Sequence, residues 1–248
     1  MRGLSHRYWG THPFHHRLHE GGLSEFELRT WAANRWYYQC MLPQKDAAII
    51  YNQEQHDELR RKGKAYLDMF SSFSPHVADA LSDVEFVDPD ITFHGHRDLD
   101  LGGRHVTLTT HGPAHTVGDQ TVHVDGVLFG GDLLETRMFP LPPHFPPFDT
   151  DADAHRWLIV LDDLASRDPE IVVPGHGEIA DVTLIHDVRD YFTYVRDQVT
   201  AGVPPEQVEQ NARQRWDWDN PQWISFAIQA FQEARLHGPG TAKSRTSR

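Results

Sequence analysis

Three short motifs in the second half of the chain carry side chains that can bind a metal ion. They are Gly112-Pro-Ala-His115-Thr, Gly130-Gly-Asp132-Leu and Pro174-Gly-His176-Gly. Two imidazoles and a carboxylate suit zinc or another borderline divalent cation, and a carboxylate with two oxygens can bridge two ions. Because glycine lets the backbone approach closely, each motif can present its ligand from a tight loop. The motifs therefore predict a metal site formed by His115, Asp132 and His176.

These ligands can meet only if strands carry them to one edge of a sheet. Short segments rich in β-branched and aromatic residues predict strands at VEFV, ITF, HVTLTT, QTVHV, VLFGG and IVVP. The dipeptide Asp125-Gly126 predicts a type I′ hairpin turn between two of them. Helices are predicted over 54–73, 151–166, 182–200, 205–215 and 221–236, with Gly63 an unfavourable residue in the first.

The composition excludes several classes of protein. Acidic residues outnumber basic ones by 36 to 23 in 248 residues, which disfavours binding to a nucleic-acid backbone. A single cysteine, Cys40, excludes a disulfide framework. No apolar run is long enough to cross a membrane, and no secretory signal is visible. We therefore expect a cytoplasmic protein that acts on a small molecule, with neither a nucleic-acid nor a membrane partner.

The stretches HGPAHTVGDQTVHVDGVLFGGDLLETRMF and DPEIVVPGHGEIADVTLI resemble the metallo-beta-lactamase superfamily of metallohydrolases. The resemblance covers about residues 57–200, and it implies an αββα sandwich with a binuclear, usually zinc, site. It further implies that His115 binds one ion, that His176 binds the other and that Asp132 bridges them. The implied reaction is hydrolysis of a carbonyl or phosphoryl centre by metal-activated water.

The leading H-x-H-x-D-H motif of that superfamily is absent from the region where it should lie. The sequence His94-Gly-His96-Arg-Asp98 mimics it, but histidine does not follow and the segment lies too close to His115. Without the leading motif each ion keeps about two protein ligands, whereas zinc sites use three or four. We therefore expect an incomplete metal site. An alternative source of ligands is the amino-terminal cluster of His12, His15, His16 and His19.

The amino-terminal segment carries a different pattern. Ser24 and Glu27 form a capping box before a helical run. The residues that share one helical face are Leu28, Trp31, Arg35, Tyr38 and Gln39. Such a face either binds an anionic ligand or lets the arginine extend past the aromatic rings into solvent.

Residues 6–52, with the strings WAANRWYYQ and P-x-KDAAI, are similar to the amino terminus of pyrroloquinoline-quinone synthase. That family is all-helical and performs a cofactor-free, oxygen-dependent ring closure and oxidation. The resemblance implies that Arg35, Tyr38 and Gln39 bind the quinone substrate. The family's later helices do not follow Asn52, and so short a helical leader does not easily stabilise itself. We expect its aromatic face to pack on the second half of the chain or on another copy in a homo-oligomer.

The predicted fold class is therefore α/β (α+β), an incomplete metallo-beta-lactamase-like αββα sandwich with an all-helical leader. The expected domains are a leader over 1–53, a metallo-beta-lactamase-like domain over 57–237 and a disordered tail over 238–248. The first functional hypothesis is a metal-dependent hydrolase-like protein with an incomplete site for one or two zinc ions. A fragment or fusion of the quinone synthase is the second hypothesis, and a non-catalytic remnant is the third.

Overall fold

The computed structural model describes residues 49–145 and 150–237, and the chain divides into two units. The first unit contains residues 1–50 and 89–91, and the second contains residues 51–88 and 92–248. In the described part of the first unit, the Ile91 N–H donates to the Ile49 carbonyl at 3.1 Å. All three predicted metal ligands belong to the second unit.

A short strand leads into the first helices. Strand β1 (Ile50–Asn52) precedes helix α1 (Gln53–Ser71), helix α2 (Pro75–Leu81) follows, and strand β2 (Ile91–Phe93) pairs with β1. Asn52 begins α1, because its side-chain oxygen accepts a hydrogen bond from the Gln55 N–H at 2.7 Å. The predicted helix in this region is confirmed.

The strand predicted at 84–87 is wrong. These residues form neither helix nor strand, and the side chains of Phe86 and Val87 are exposed. The Phe86 ring lies against α1 at Gly63, where an added Cβ would be only 2.7 Å from the ring. The contact of the Phe86 ring with Gly63, which leaves room for the ring, therefore overrides the β-propensity of this segment.

A five-stranded sheet contains the remaining predicted strands. In spatial order it consists of β3 (His96–Asp100), β4 (His105–Thr110), β5 (Gln120–Val124), β6 (Val127–Glu135) and β7 (Ile171–His176). Strands β3 to β6 pair antiparallel with their neighbours, whereas β7 runs parallel to β6. The parallel pair places the carboxyl ends of β6 and β7 at the same edge of the sheet.

The predicted hairpin between β5 and β6 is confirmed. Val124 pairs with Val127, and the two residues between them, Asp125 and Gly126, have φ angles of 49° and 77°. Positive φ at both central residues is the conformation that a type I′ turn requires, and it suits the twist of the flanking strands.

In the described residues after the hairpin there are four helices, with a 3-10 turn at Pro221–Trp223. They are α3 (Ala154–Ser166), α4 (Thr183–Thr200), α5 (Pro205–Arg215) and α6 (Ile224–His237). Asp153 begins α3, since its side chain accepts a hydrogen bond from the Arg156 N–H at 2.9 Å. None of the described helices is long and apolar enough to cross a membrane.

The core lies where these helices cover one face of β6 and β7. Leu128 and Val172 from the sheet are buried together with Trp157, Leu161 and Ile185 from the helices. Fully burying an aliphatic side chain of this kind contributes about 1.5–3 kcal/mol. The Trp157 indole N–H also donates to the Leu133 carbonyl at 3.1 Å. This bond fixes α3 against β6 directly beside Asp132. The mixed helix and sheet fold class is confirmed.

Candidate metal centre

Two of the three predicted ligands come together at the carboxyl ends of β6 and β7. Glu135 is the register partner of His176, and the Thr136 N–H donates to the His176 carbonyl at 2.9 Å. Strand β6 is irregular here, with register shifts on both sides of Gly131. These irregularities turn Asp132 toward the end of β7, where the His176 Nε2 lies 3.5 Å from the Asp132 Oδ1.

Three side chains form the candidate centre. Asp132, Glu135 and His176 each offer one ligand atom, and these atoms all lie within 4.8 Å of one another. The side chains of Asp132 and His176 are 44% and 59% exposed, whereas Glu135 is only 5% exposed. The candidate centre therefore consists of two partly exposed donors, Asp132 and His176, and one buried carboxylate, Glu135.

Glu135 shows that this donor set fits a cation. Its Oε2 atom is buried and has no hydrogen-bond partner. Burial, together with the negative charge of Asp132, raises the pKa of this carboxyl to about 8. A buried carboxylate without a partner is costly, and a divalent cation held by two carboxylates and one imidazole would remove that cost.

Two glycines let the end of β7 approach β6 closely. A Cβ at Gly175 would lie 2.1 Å from the Asp132 Oδ1 and 2.7 Å from the Gly131 carbonyl carbon. Gly177 has a φ of 92°, and a Cβ there would lie 2.7 Å from the Thr136 carbonyl oxygen. Neither of the glycines beside His176 leaves room for a Cβ atom. Gly177 also has a backbone conformation that favours glycine.

The third predicted ligand, His115, is held in a separate loop. The buried carboxylate of Asp119 builds this loop by accepting hydrogen bonds from three backbone N–H groups, at Ala114, His115 and Thr116. The His115 ring packs edge-on against Trp157 with 5.5 Å between ring centroids. His115 is not one of the three clustered side chains, but it lines the same cavity of about 560 Å³ as Asp132. Its role as a metal ligand stays a prediction.

Comparison with known families decides where this architecture belongs. The sequence model of the metallo-beta-lactamase superfamily matches residues 41–176, which is more than half of the chain. The chain belongs to the metallo-beta-lactamase superfamily. A metallo-beta-lactamase family protein from Thermus thermophilus shares this fold, with a TM-score of 0.53 and 17% identity. The match covers 77% of this chain and 67% of that protein.

A second family matches the amino-terminal part of this superfamily member. The model of the TENA/THI-4/PQQC family matches residues 1–71, so the two matches overlap. A pyrroloquinoline-quinone synthase from Cereibacter sphaeroides is 54% identical over 44 residues, which are 18% of this chain and 17% of that protein. A bifunctional coenzyme PQQ synthesis protein C/D from Methylorubrum extorquens is 57% identical over 44 residues, 18% of this chain and 12% of that protein.

The chain therefore spans less than a fifth of the length of these two curated relatives. It is a metallo-beta-lactamase fold fused with a segment that resembles part of a quinone synthase. Arg35, Tyr38 and Gln39, predicted to bind the quinone, lie outside the described residues. The amino-terminal histidine cluster also lies outside them.

Sequence reasoning missed Glu135 as a member of the candidate centre. Glu135 lies three residues after Asp132 in GGDLLE, and in a regular strand this spacing would place the two carboxylates on opposite faces. The His94-Gly-His96 segment lies apart from these donors. The His94 Nδ1 lies 2.9 Å from the Glu54 Oε1, and neither His94 nor His96 belongs to the clustered donors.

Proposed function

We propose that the chain is a metal-dependent hydrolase whose metal ion, zinc, is held by Asp132, Glu135 and His176. The observation that carries this proposal is the buried, unpartnered carboxylate oxygen of Glu135 beside two further donors. The superfamily membership supports the same chemistry. His115 and Asp132 line one cavity, and this arrangement supports a reaction site in that cavity.

Each of the three side chains has a distinct task in this proposal. The carboxylates of Asp132 and Glu135 offset the charge of the cation, and the imidazole of His176 supplies a neutral nitrogen donor. Three protein ligands leave coordination positions open, which is typical of catalytic rather than structural zinc sites. Zinc bound there would lower the pKa of a water molecule and polarise the bond to be cleaved.

The surrounding residues position these groups. Trp157 donates a hydrogen bond to the Leu133 carbonyl of β6 and also packs against the His115 ring. One side chain therefore positions both β6 and the His115 loop. Asp119 fixes the loop that presents His115. His115 therefore faces the cavity from a rigid support, where it can bind substrate, hold a proton or contribute to a second ion.

The test is the metal content of the full chain. Elemental analysis should find about one zinc ion per chain. After removal of metal by a chelator, excess zinc should raise the melting temperature by about 5 °C or more, because a ligand that binds only the folded state stabilises it. Magnesium is the control, since it prefers six oxygen ligands and should cause little change.

Two outcomes of this measurement are informative. If zinc is neither bound nor stabilising, the hydrolase proposal is wrong and the non-catalytic remnant is favoured. If the content approaches two ions, the binuclear arrangement implied by the superfamily is favoured, with Asp132 between His176 and His115.

For the cellular setting we propose the cytoplasm, consistent with a chain that contains one cysteine. We also propose a small-molecule substrate and a homo-oligomer that buries the leader.

A second candidate function is binding of a quinone by the amino-terminal segment. The observation that favours it is the 54% identity to a quinone synthase over 44 residues. Titration of the full chain with pyrroloquinoline quinone should show saturable binding that weakens at least about tenfold in Arg35→Ala, which removes the charge partner of a carboxylate. Arg29→Ala, in the same segment, is the matched control. Absence of saturable binding to the wild type would exclude this function.

A further inference from the structure

The segment that carries His176 is closed at its base by backbone hydrogen bonds. Val172 of β7 and Ala180 form two of them, because the N–H of each residue donates to the carbonyl of the other at 2.9 Å. Residues 173–179 lie between these two and form a loop with His176 at its centre. The base of this loop is therefore held by bonds that do not involve the metal centre.

The tip of the loop is held by Thr136, the residue that directly follows β6. Its N–H donates to the His176 carbonyl at 2.9 Å, and its hydroxyl Oγ1 donates to the Glu178 carbonyl at 2.6 Å. Gly177 lies against the same residue, since an added Cβ would be 2.8 Å from the Thr136 Cβ. Thr136 thus contacts three consecutive residues of the tip, and His176 is the first of them.

The chain on the far side of Thr136 is also fixed. The Arg137 carbonyl accepts a hydrogen bond from the Asp219 N–H at 2.8 Å, and the Phe139 N–H donates to the Asp219 carbonyl at 3.0 Å. Phe139 is buried in the core. Arg137 has a φ of 55°, which costs free energy in a residue with a side chain, so the bonds to Asp219 hold this turn in place. Thr136 is therefore a rigid support for the loop tip.

The imidazole of His176 depends on this support for its position. Its side chain is 59% exposed, so neighbouring side chains cover less than half of it. The Nε2 atom lies 3.5 Å from the Asp132 Oδ1, and a metal site needs its ligands within roughly 0.5 Å of the productive geometry. With little packing around the ring, the backbone at 176–178 must supply that precision.

We propose that Thr136 is a positioning residue for His176, which it holds where the imidazole meets Asp132 and Glu135. This inference rests on the proposed metal centre. The Thr136 hydroxyl is not a ligand, because it donates to the Glu178 carbonyl. Since the base of the loop is closed by its own bonds, the hydroxyl serves the geometry of the ligand more than the stability of the fold.

Removal of the hydroxyl alone tests this role. Thr136→Val replaces the hydroxyl by a methyl group of similar size and keeps the N–H. In competition with a chromophoric chelator, the zinc affinity should fall about tenfold, as for other groups that orient metal ligands. The melting temperature of the metal-free chain should change by less than about 3 °C, because the lost bond is near the surface. Thr136→Ser keeps the hydroxyl and should restore most of the zinc affinity.

Thr183→Val is the matched control for this measurement. It removes a hydroxyl that donates to the Asp181 Oδ1 at 2.6 Å, shortly after the same loop. Its zinc affinity should equal that of the wild type, because Thr183 does not contact residues 176–178. The inference is overturned if Thr136→Val binds zinc as tightly as Thr183→Val, or if Thr136→Ser binds as weakly as Thr136→Val.

Hydrogen exchange of the metal-free chains examines the loop without zinc. Residues 173–179 should exchange at least about threefold faster in Thr136→Val than in the wild type, whereas β6 should keep its rate. Unchanged exchange in the loop would overturn the inference, even if zinc affinity fell. A wild type that binds no zinc but shows the expected exchange loses the hydrolase function and keeps the restraint on His176. Normal zinc binding by every variant removes the positioning role and leaves the hydrolase function standing.

Discussion

A chain carrying Glu135→Gln is expected to bind zinc at least ~100-fold more weakly than the wild type, because it loses one of three ligands. The amide keeps the shape of the side chain but not its negative charge. Equilibrium competition with a chromophoric chelator would measure the affinity. Glu178→Gln is the matched control, since Glu178 is exposed two residues after His176 and is not one of the clustered donors.

The metal-free stability of the same variant should move in the opposite direction. In the wild type the Oε2 of Glu135 is buried without a partner, and an isolated buried carboxylate destabilises the folded state. Replacing it by a neutral amide should therefore leave the metal-free melting temperature equal or higher. Weaker zinc binding together with undiminished stability identifies a ligand. A variant that loses stability and keeps its zinc affinity would show that Glu135 serves the fold instead.

The sequence predicted the frame of this site well, for local physical reasons. The hairpin at Asp125-Gly126 follows from the φ angles that those residues tolerate, and the helix at 205–215 begins with proline and matches its prediction. Glycine beside His176 predicts close approach of the backbone, and Gly175 does lie against Asp132. Such features depend on few residues, so a single sequence reveals them.

The place of Glu135 in the candidate centre depends on a feature that the sequence does not encode locally. In a regular strand, Asp132 and Glu135 would point to opposite faces, because side chains alternate with a period of two. The register shifts within β6 break this alternation and bring both carboxylates toward His176. The irregularity in β6 depends on its pairing with β7, and β7 lies far from β6 in the sequence.

Gly175→Ala is expected to damage the fold and the metal centre together. The added methyl would lie 2.1 Å from the Asp132 Oδ1, 2.7 Å from the Gly131 carbonyl carbon and 2.9 Å from the Asp132 N. A side chain could rotate away, but the two backbone atoms can move only if β6 and β7 separate. We expect a loss of about 1–3 kcal/mol in the free energy of unfolding, as for other overpacked sites. Zinc affinity should fall at least about tenfold, because Asp132 and His176 are moved apart.

The control for this variant is another glycine whose substitution meets no neighbour. Gly202 has a φ of 75° and nothing within 4 Å of an added Cβ, so Gly202→Ala introduces backbone strain alone. It should lose about 1 kcal/mol of stability through that strain and keep the zinc affinity of the wild type. Denaturant unfolding and chelator competition on both variants separate the two effects. If Gly175→Ala resembles Gly202→Ala in both measurements, the ends of β6 and β7 do not hold Asp132 and His176 at the separation that the metal requires.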